Sequence, residues 1–194
     1  MSLITVLRPD KPEAERAAAA AQPAGRVPVR PGATLLLIDN GKSHAKIVLL
    51  MVAEELRGRL PEIEHVEVFS KTSAAVTVTD DEARRLAEQA TLVVTGLGDC
   101  GACSSCSVLD AITFERLGVP ATAVITEPFA GLVAEFAITA GMPGHHHVTL
   151  PHPVATRQDA EVRALVAGVA GAIVQQLTGA ASGAEAAPRE LSAA

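Results

Sequence analysis

All three cysteines of the sequence fall in one short segment with the spacing Cys-x-x-Cys-x-x-Cys, at Cys100, Cys103 and Cys106. We predict that Cys100 lies just before the amino terminus of a helix that begins at about Ser104. Free backbone N–H groups and the helix dipole then stabilise a thiolate at Cys100 and lower its pKa. Cys103, three residues further on, is close enough to resolve a sulfenic acid or a mixed disulfide at Cys100. The spacing therefore favours a cysteine-dependent enzyme with thiol redox chemistry.

Two other interpretations of the same thiols remain open. In the first, Cys100 is a base or a covalent nucleophile in a lyase or isomerase, without a change of redox state. In the second, Cys100, Cys103 and Cys106 bind zinc or an iron–sulfur cluster in a protein without catalysis of its own. The run lacks a fourth ligand and a helical start splays the thiols, so we expect an enzyme that requires no metal or other cofactor.

Polar residues follow four of the strands that the sequence predicts. Three of them, Asp39, Asp99 and His152, are candidates for proton transfer or substrate orientation beside the cysteines. The candidates for substrate binding are Asn40, Lys42, Gly98, Gly101 and Glu127. In an open parallel sheet, ligands bind beyond the carboxyl ends of the strands, so these residues are expected to meet at one crevice.

The elements that must position these residues alternate between strand and helix. Short apolar runs predict strands at 34–39, 65–69, 91–95, 121–126 and 147–150. Helical periodicity and start and stop signals predict helices at about 44–57, 79–90, 104–117, 129–140 and 158–177. This order implies a parallel sheet covered by helices on both faces. We predict a flavodoxin-like three-layer α/β/α fold with strand order 2-1-3-4-5, whose switch point lies beside Asp39 and Cys100.

The chain outside this repeat differs in composition. Residues 1–32 contain an alanine run and three prolines after it, which predicts an extended arm ahead of an α/β domain at 33–178. Residues 179–194 are rich in Ala, Gly and Ser, which predicts a disordered tail. The arm is long enough to reach a second subunit, so a homo-oligomer is one expectation.

The composition of the sequence limits the classes of binding partner and the cellular compartment that we expect. The formal charge is −6 and no basic cluster is present, which argues against nucleic acid. The sequence has no apolar run of the roughly 20 residues that a bilayer requires and no secretory signal, so we expect a cytoplasmic protein without a membrane partner. Cysteines are kept reduced in the cytoplasm. We therefore expect a small-molecule substrate and a thiol reductant as partners.

The cysteine turn also resembles the UGSC-motif (seleno)protein family, in which selenocysteine or cysteine opens a Gly-Asp-(Sec/Cys)-Gly-Ser-Cys turn. Here the matching residues are 98–103, with Ala102 in place of the family's serine. Weaker matches lie at 37–42, 118–120, 126–129 and 141–153. Exchange of selenium and sulfur in the family implies that position 100 is a soft nucleophile or redox atom.

Overall fold

The computed structural model describes residues 21–42 and 44–179. Five strands and five helices alternate along this part of the chain. The strands are β1 (Ala33–Asp39), β2 (Ile63–Ser70), β3 (Leu92–Gly98), β4 (Ala121–Thr126) and β5 (His147–Leu150). The helices are α1 (Ala45–Arg59), α2 (Asp80–Ala87), α3 (Gly101–Arg116), α4 (Ala130–Thr139) and α5 (Asp159–Thr178), and a short 3-10 turn at Glu127–Phe129 precedes α4.

The strands form one parallel sheet in the order β2-β1-β3-β4-β5, which confirms the flavodoxin-like prediction. The central pair is in register from Leu35 opposite Leu92 to Asp39 opposite Gly96. The carboxyl ends of β1 and β3 therefore lie side by side, and the chain leaves them in opposite directions along the sheet. This is the switch point at which open α/β sheets bind ligands.

Two apolar layers, one on each face of the sheet, form the core. In β1, Leu35 and Leu37 pack into the layer beneath α1 and α5, whereas Leu36 and Ile38 pack into the layer beneath α2, α3 and α4. Successive side chains of a strand point to opposite faces. A central strand covered on both faces is therefore apolar at every position, and this is why β1 reads as a continuous apolar run.

The boundaries around the cysteine turn differ from the predicted ones. β3 continues to Gly98 rather than ending at Thr95, and α3 begins at Gly101 rather than at Ser104. The two glycines of β3 are weak strand formers, but both are buried between neighbouring elements. The whole Cys100–Cys103 segment therefore belongs to the start of the helix.

Helix α5 has a length and an apolar composition that would also suit a membrane span. One face of it is buried in the core beneath the sheet, through Val162, Val166, Ala170, Ile173 and Leu177. Its first turn carries Asp159 and Glu161. A helix with one buried face against a sheet is the normal covering element of an α/β domain.

The described part of the predicted arm, 21–32, has no regular secondary structure and is fixed to the domain. Ala24 donates its backbone N–H to the Glu115 carboxylate at 2.7 Å, and the guanidinium of Arg26 forms a bidentate pair with the same carboxylate at 2.7 and 2.8 Å. Glu115 is fully buried. Residues 1–20 of the arm and 180–194 of the predicted tail lie outside the described residues.

Candidate functional site

Cys100 is the residue that caps the amino terminus of α3. Its backbone is extended, and its sulfur accepts the backbone N–H of Cys103 at 3.3 Å. Its carbonyl oxygen accepts two bonds from Ser104, from the backbone N–H at 2.9 Å and from the hydroxyl at 2.8 Å. Free N–H groups at a helix start favour negative charge, so a thiolate at Cys100 would be stabilised by the helix.

The Cys100 and Cys103 sulfurs are joined in a disulfide, and their Cα atoms lie 5.3 Å apart. Cys103 is buried, with 2% of its surface exposed, whereas Cys100 is half-buried. Cys106 is a free, half-buried thiol in the second turn of the helix. Burial raises the pKa of the Cys106 thiol, an effect that Lys71 opposes and Asp110 reinforces. Cys100 is thus the more solvent-accessible residue of the disulfide pair.

A cavity of about 250 Å³ lies over this disulfide. Three groups of residues line it: the turn 40–42, the segment Thr72–Ala75 after β2, and Cys100, Ala102 and Cys103 at the start of α3. The cavity brings Asn40 and Lys42, both predicted to bind substrate, together with both cysteines. Lys42 is exposed at its rim and is the cationic residue in its lining.

The two polar residues that end β1 hold the turn beneath this cavity. The Asp39 carboxylate accepts the Ser70 hydroxyl at 2.8 Å and the Gly41 N–H at 2.9 Å. The Asn40 amide donates to the Leu97 carbonyl at 2.7 Å, and its oxygen accepts the Lys42 N–H at 3.2 Å. Both side chains are buried. Asp39, predicted to act on substrate, does not line the cavity, and its carboxylate is occupied by the turn.

A second polar group lies on the other side of Cys100, between the ends of β3, β4 and β5. The His152 Nδ1 lies 3.0 Å from the Asp99 carboxylate and 3.0 Å from the Thr126 hydroxyl. The Thr126 hydroxyl donates to the Gly98 carbonyl at 3.2 Å, so its oxygen is free to accept from the imidazole. Both oxygens favour the tautomer with a proton on Nδ1, which leaves Nε2 as an acceptor.

Backbone donors and one aromatic ring fix this pair in place. The Asp99 carboxylate also accepts the backbone N–H groups of Val154, at 3.2 and 3.3 Å, and of Ala155, at 2.9 Å. The Phe129 ring meets the His152 ring edge to face, with centroids 5.7 Å apart. Asp99 is largely buried, whereas 37% of the His152 side chain is exposed. The arrangement is a carboxylate–imidazole pair whose imidazole can exchange protons with solvent or substrate.

Comparison with known proteins gives a family for this chain. A model of the UGSC family matches residues 5–179, which is most of the chain. The chain belongs to the UGSC family. The turn with the family's motif, residues 100–103 and here called the UGSC turn, is the segment that caps α3 and forms the disulfide. The match includes residues 5–20, which precede the described part of the structure.

Comparisons with solved structures and with curated proteins add less information about this chain than the family match does. The crystal structure of a diflavin flavoprotein A3 from Nostoc sp. is similar at 13% identity and a TM-score of 0.35, covering 77% of this chain and 97% of that chain. No curated protein matches the sequence. The fold of this UGSC protein therefore rests on its own sheet order.

The three remaining predicted substrate-binding residues, Gly98, Gly101 and Glu127, do not line the cavity. At Gly98, a Cβ atom would lie 2.7 Å from the Ile125 side chain and 2.7 Å from the Ser104 hydroxyl, so this glycine permits α3 to pack closely on β3 and β4. Gly101 is the first residue of α3 and is half-buried. Glu127 is exposed in the 3-10 turn after β4.

Within 21–42 and 44–179, no group of three or more His, Cys, Asp or Glu side chains is arranged to hold a metal ion. The three thiols proposed as an alternative metal site include the disulfide pair. Thr126 was expected only as part of a strand end that reaches the crevice, with no role of its own. The 71–78 segment was missed by sequence reasoning, because its only signal is that it follows the strand next to the switch point.

A larger cavity of about 790 Å³ lies near the amino end of β5 and the carboxyl end of α5. The UGSC turn, in contrast, lies at the carboxyl ends of the strands. His145 and Arg26 are among its lining residues. Burial lowers the pKa of His145 to about 4, and its buried Nε2 has no hydrogen-bond partner. Burial also lowers the pKa of His147. Neutral histidines are thus part of the folded state at this edge.

Proposed function

We propose that this UGSC protein is a thiol-dependent oxidoreductase in which Cys100 is the nucleophile and Cys103 the resolving thiol. The observation that carries the proposal is the position of Cys100 as the cap of α3, in bonding contact with buried Cys103 and beside a cavity. A thiol at a helix amino terminus with a second thiol three residues on has the geometry of dithiol redox sites.

The proposed cycle uses a peroxide as the oxidant and a small thiol as the reductant. The Cys100 thiolate attacks one peroxide oxygen, the O–O bond breaks, and the leaving oxygen takes a proton as water or an alcohol. The Cys100 sulfenic acid then reacts with the Cys103 thiol, which forms the disulfide and releases water. Two molecules of reductant thiol restore both cysteines by exchange and leave as their own disulfide.

Three other groups support the chemistry in this proposal. His152, oriented by Asp99, takes up a proton from solvent at Nε2 and gives it to the leaving oxygen. Lys42 and Asn40, which both line the cavity, contact the substrate. Asp39 acts through the turn rather than on substrate. The cycle requires no bound cofactor, and it suits the cytoplasm, where small thiols are abundant.

Alkylation mapping tests the proposal. In the reduced protein, limiting iodoacetamide is expected to modify Cys100 before Cys106, because the helix start favours the Cys100 thiolate and burial opposes the Cys106 thiolate. One equivalent of hydrogen peroxide is expected to protect Cys100 and Cys103 and leave Cys106 reactive. A Cys106→Ser variant is the matched control, in which Cys100 is still modified in the reduced protein and still protected after peroxide. Faster labelling of Cys106, or no Cys100–Cys103 link after peroxide, contradicts the mechanism.

The second candidate is a non-redox lyase or isomerase in which Cys100 is a base or a covalent nucleophile. The Asp99–His152 pair beside Cys100 favours it, because a paired imidazole supplies a second proton-transfer group without any redox change. Turnover of a candidate substrate by a Cys103→Ser variant, in the absence of thiol reductant, separates the two. The redox cycle needs both cysteines, whereas the lyase or isomerase needs only Cys100.

A further inference from the structure

We propose that Lys71 and Asp110 form a buried clamp that holds one wall of the cavity and so limits the size of the molecules that reach Cys100. The clamp is a pair of positioning residues, since neither side chain lines the cavity. The inference rests on the proposed role of Cys100. It narrows the substrates and reductants of that site to small, compact molecules.

The clamp closes the segment between β2 and α2 into a ring. The Lys71 ammonium pairs with the Asp110 carboxylate and also donates to the Val76 carbonyl at 2.8 Å. The other Asp110 oxygen accepts the Val78 N–H at 2.8 Å. Both ends of 71–78 are therefore tied to one carboxylate, and Thr72–Ala75, which lies between them, is the cavity wall.

The start of this wall is also fixed to the turn that forms the opposite side of the cavity. The Lys71 N–H donates to the Asp39 carbonyl at 2.7 Å. The Lys71 carbonyl would lie 2.9 Å from a Cβ atom at Gly41, whose φ of 75° already favours glycine. Lys71, the residue before the wall, is thus held by its backbone against the end of β1 and the 40–42 turn.

Asp110 connects the wall to the nucleophile. It lies in α3, the helix that Cys100 caps, so a rigid helix links the clamp to the reacting sulfur. Asp110 is fully buried and Lys71 is 8% exposed. Because each charge depends on the other in this buried setting, the pair has one well-defined arrangement.

Access to the sulfurs then depends on the clamp. Cys103 is buried, so a substrate or a reductant must approach Cys100. The cavity over it, at about 250 Å³, is smaller than the roughly 300–1,000 Å³ of sites for drug-sized ligands. A small peroxide or a small thiol fits this space, whereas a bulky one meets Thr72–Ala75.

Labelling of the reduced protein with two maleimides of different size tests the clamp. N-ethylmaleimide and a polyethylene-glycol maleimide share one reaction, so the ratio of their rates at Cys100 reports access alone. The variant Lys71→Met/Asp110→Leu removes both buried charges together and avoids leaving one of them unpaired. We expect it to raise the bulky-to-small rate ratio about tenfold, which corresponds to 1.4 kcal/mol in the barrier to access.

Two further variants make the result decisive. Arg84→Met/Asp81→Asn alters an exposed ion pair on α2 and is the matched control, expected to leave the ratio unchanged. Ala74→Gly/Ala75→Gly keeps the clamp and loosens the wall itself, so the inference is tested even where the clamp variant does not fold. If the bulky-to-small rate ratio is unchanged in the wall variant, and in the clamp variant where it folds, the inference is overturned. Slow labelling of wild-type Cys100 by N-ethylmaleimide, relative to Cys106, would instead count against the proposed function.

Discussion

His152 and Asp99 join the end of β5 to the end of β3, with 3.0 Å between the imidazole Nδ1 and the carboxylate. The next residue after Asp99 is Cys100, the cap of α3. A bond between side chains from two separate loops thus holds an imidazole beside the UGSC turn. Both residues are candidates from the sequence alone, and the structure pairs them with each other rather than with Asp39.

We expect His152→Gln to lower the rate of peroxide reduction about a hundredfold, within the range that general acid catalysis contributes. The proposed mechanism loses its proton donor to the leaving oxygen, whereas Cys100 and Cys103 are unchanged. Stopped-flow measurement of sulfenic acid formation at several pH values checks the prediction. The matched control is His65→Gln, which changes an exposed histidine on β2. Equal rates in wild type and both variants would remove His152 from the mechanism.

Stability is expected to fall below pH 6.5 because of His145. The unfolded side chain has a pKa near 6.5 and the folded one a pKa of about 4, so the unfolded state binds a proton that the folded state does not. The stability that the neutral His145 contributes is therefore fully present above pH 6.5. As the pH falls towards 4, the free energy of unfolding drops by about 3 kcal/mol. Urea denaturation of wild type and His145→Asn at pH 7.5 and 4.5 measures it.

The variant provides the control for this pH effect. The pH dependence that remains in His145→Asn belongs to other groups, including His147 and the carboxylates. We expect the free energy of unfolding of wild type to drop more steeply than that of the variant between the two pH values. Parallel pH profiles would show that His145 is not held neutral in the folded protein.

Gly98→Ala is expected to destabilise the domain by about 1–3 kcal/mol, the usual cost of overpacking. The new Cβ atom would lie 2.7 Å from the Ile125 side chain and 2.9 Å from the Ser104 Cα, so β3 and α3 must separate. Gly168→Ala is the control, because Gly168 lies inside α5 with nothing within 4 Å of the new atom, and alanine there should stabilise. Thermal unfolding of both variants compares them, and a neutral Gly98→Ala would show that the two elements are not in close contact.

Local sequence signals were sufficient for the fold because the strands are buried on both faces. The runs at Leu35–Ile38 and Val93–Val94 have no polar interruption, and this pattern has few solutions other than a parallel sheet. The place of the cysteine turn followed from the same logic, since Cys100 lies between a central strand and the helix after it. The start of α3 was predicted three residues late, because cysteine is an uncommon cap.

Long-range partners were beyond what the sequence pattern predicts. Asp39 and Asp99 look equivalent as acids at strand ends, yet one is bonded within its own turn and to Ser70 whereas the other reaches Val154 and His152. The Lys71–Asp110 pair joins residues 39 positions apart, and neither has a local motif. Such pairs depend on how α3 and the 71–78 segment pack, and spacing along the chain does not encode this.

Residues 24–26 are predicted to be part of the folded unit rather than a removable arm. Glu115 is fully buried, and its carboxylate accepts N–H groups from Ala24, Arg26 and Ala121. Replacing the guanidinium leaves a buried carboxylate without its counter-charge. We expect Arg26→Met to cost about 3–5 kcal/mol of unfolding free energy, the usual loss when one partner of a buried pair is removed.

A double variant separates the ion pair from simple packing. In Arg26→Met/Glu115→Gln the buried charge is removed with its partner, so the double variant should be more stable than Arg26→Met alone. Arg30→Met, which changes an exposed arginine of the same segment, is the control and should differ from wild type by less than about 0.5 kcal/mol. Urea denaturation of the full chain gives all four values. Similar small losses for Arg26→Met and Arg30→Met would mean that the segment is only loosely attached, and the domain would then begin at β1.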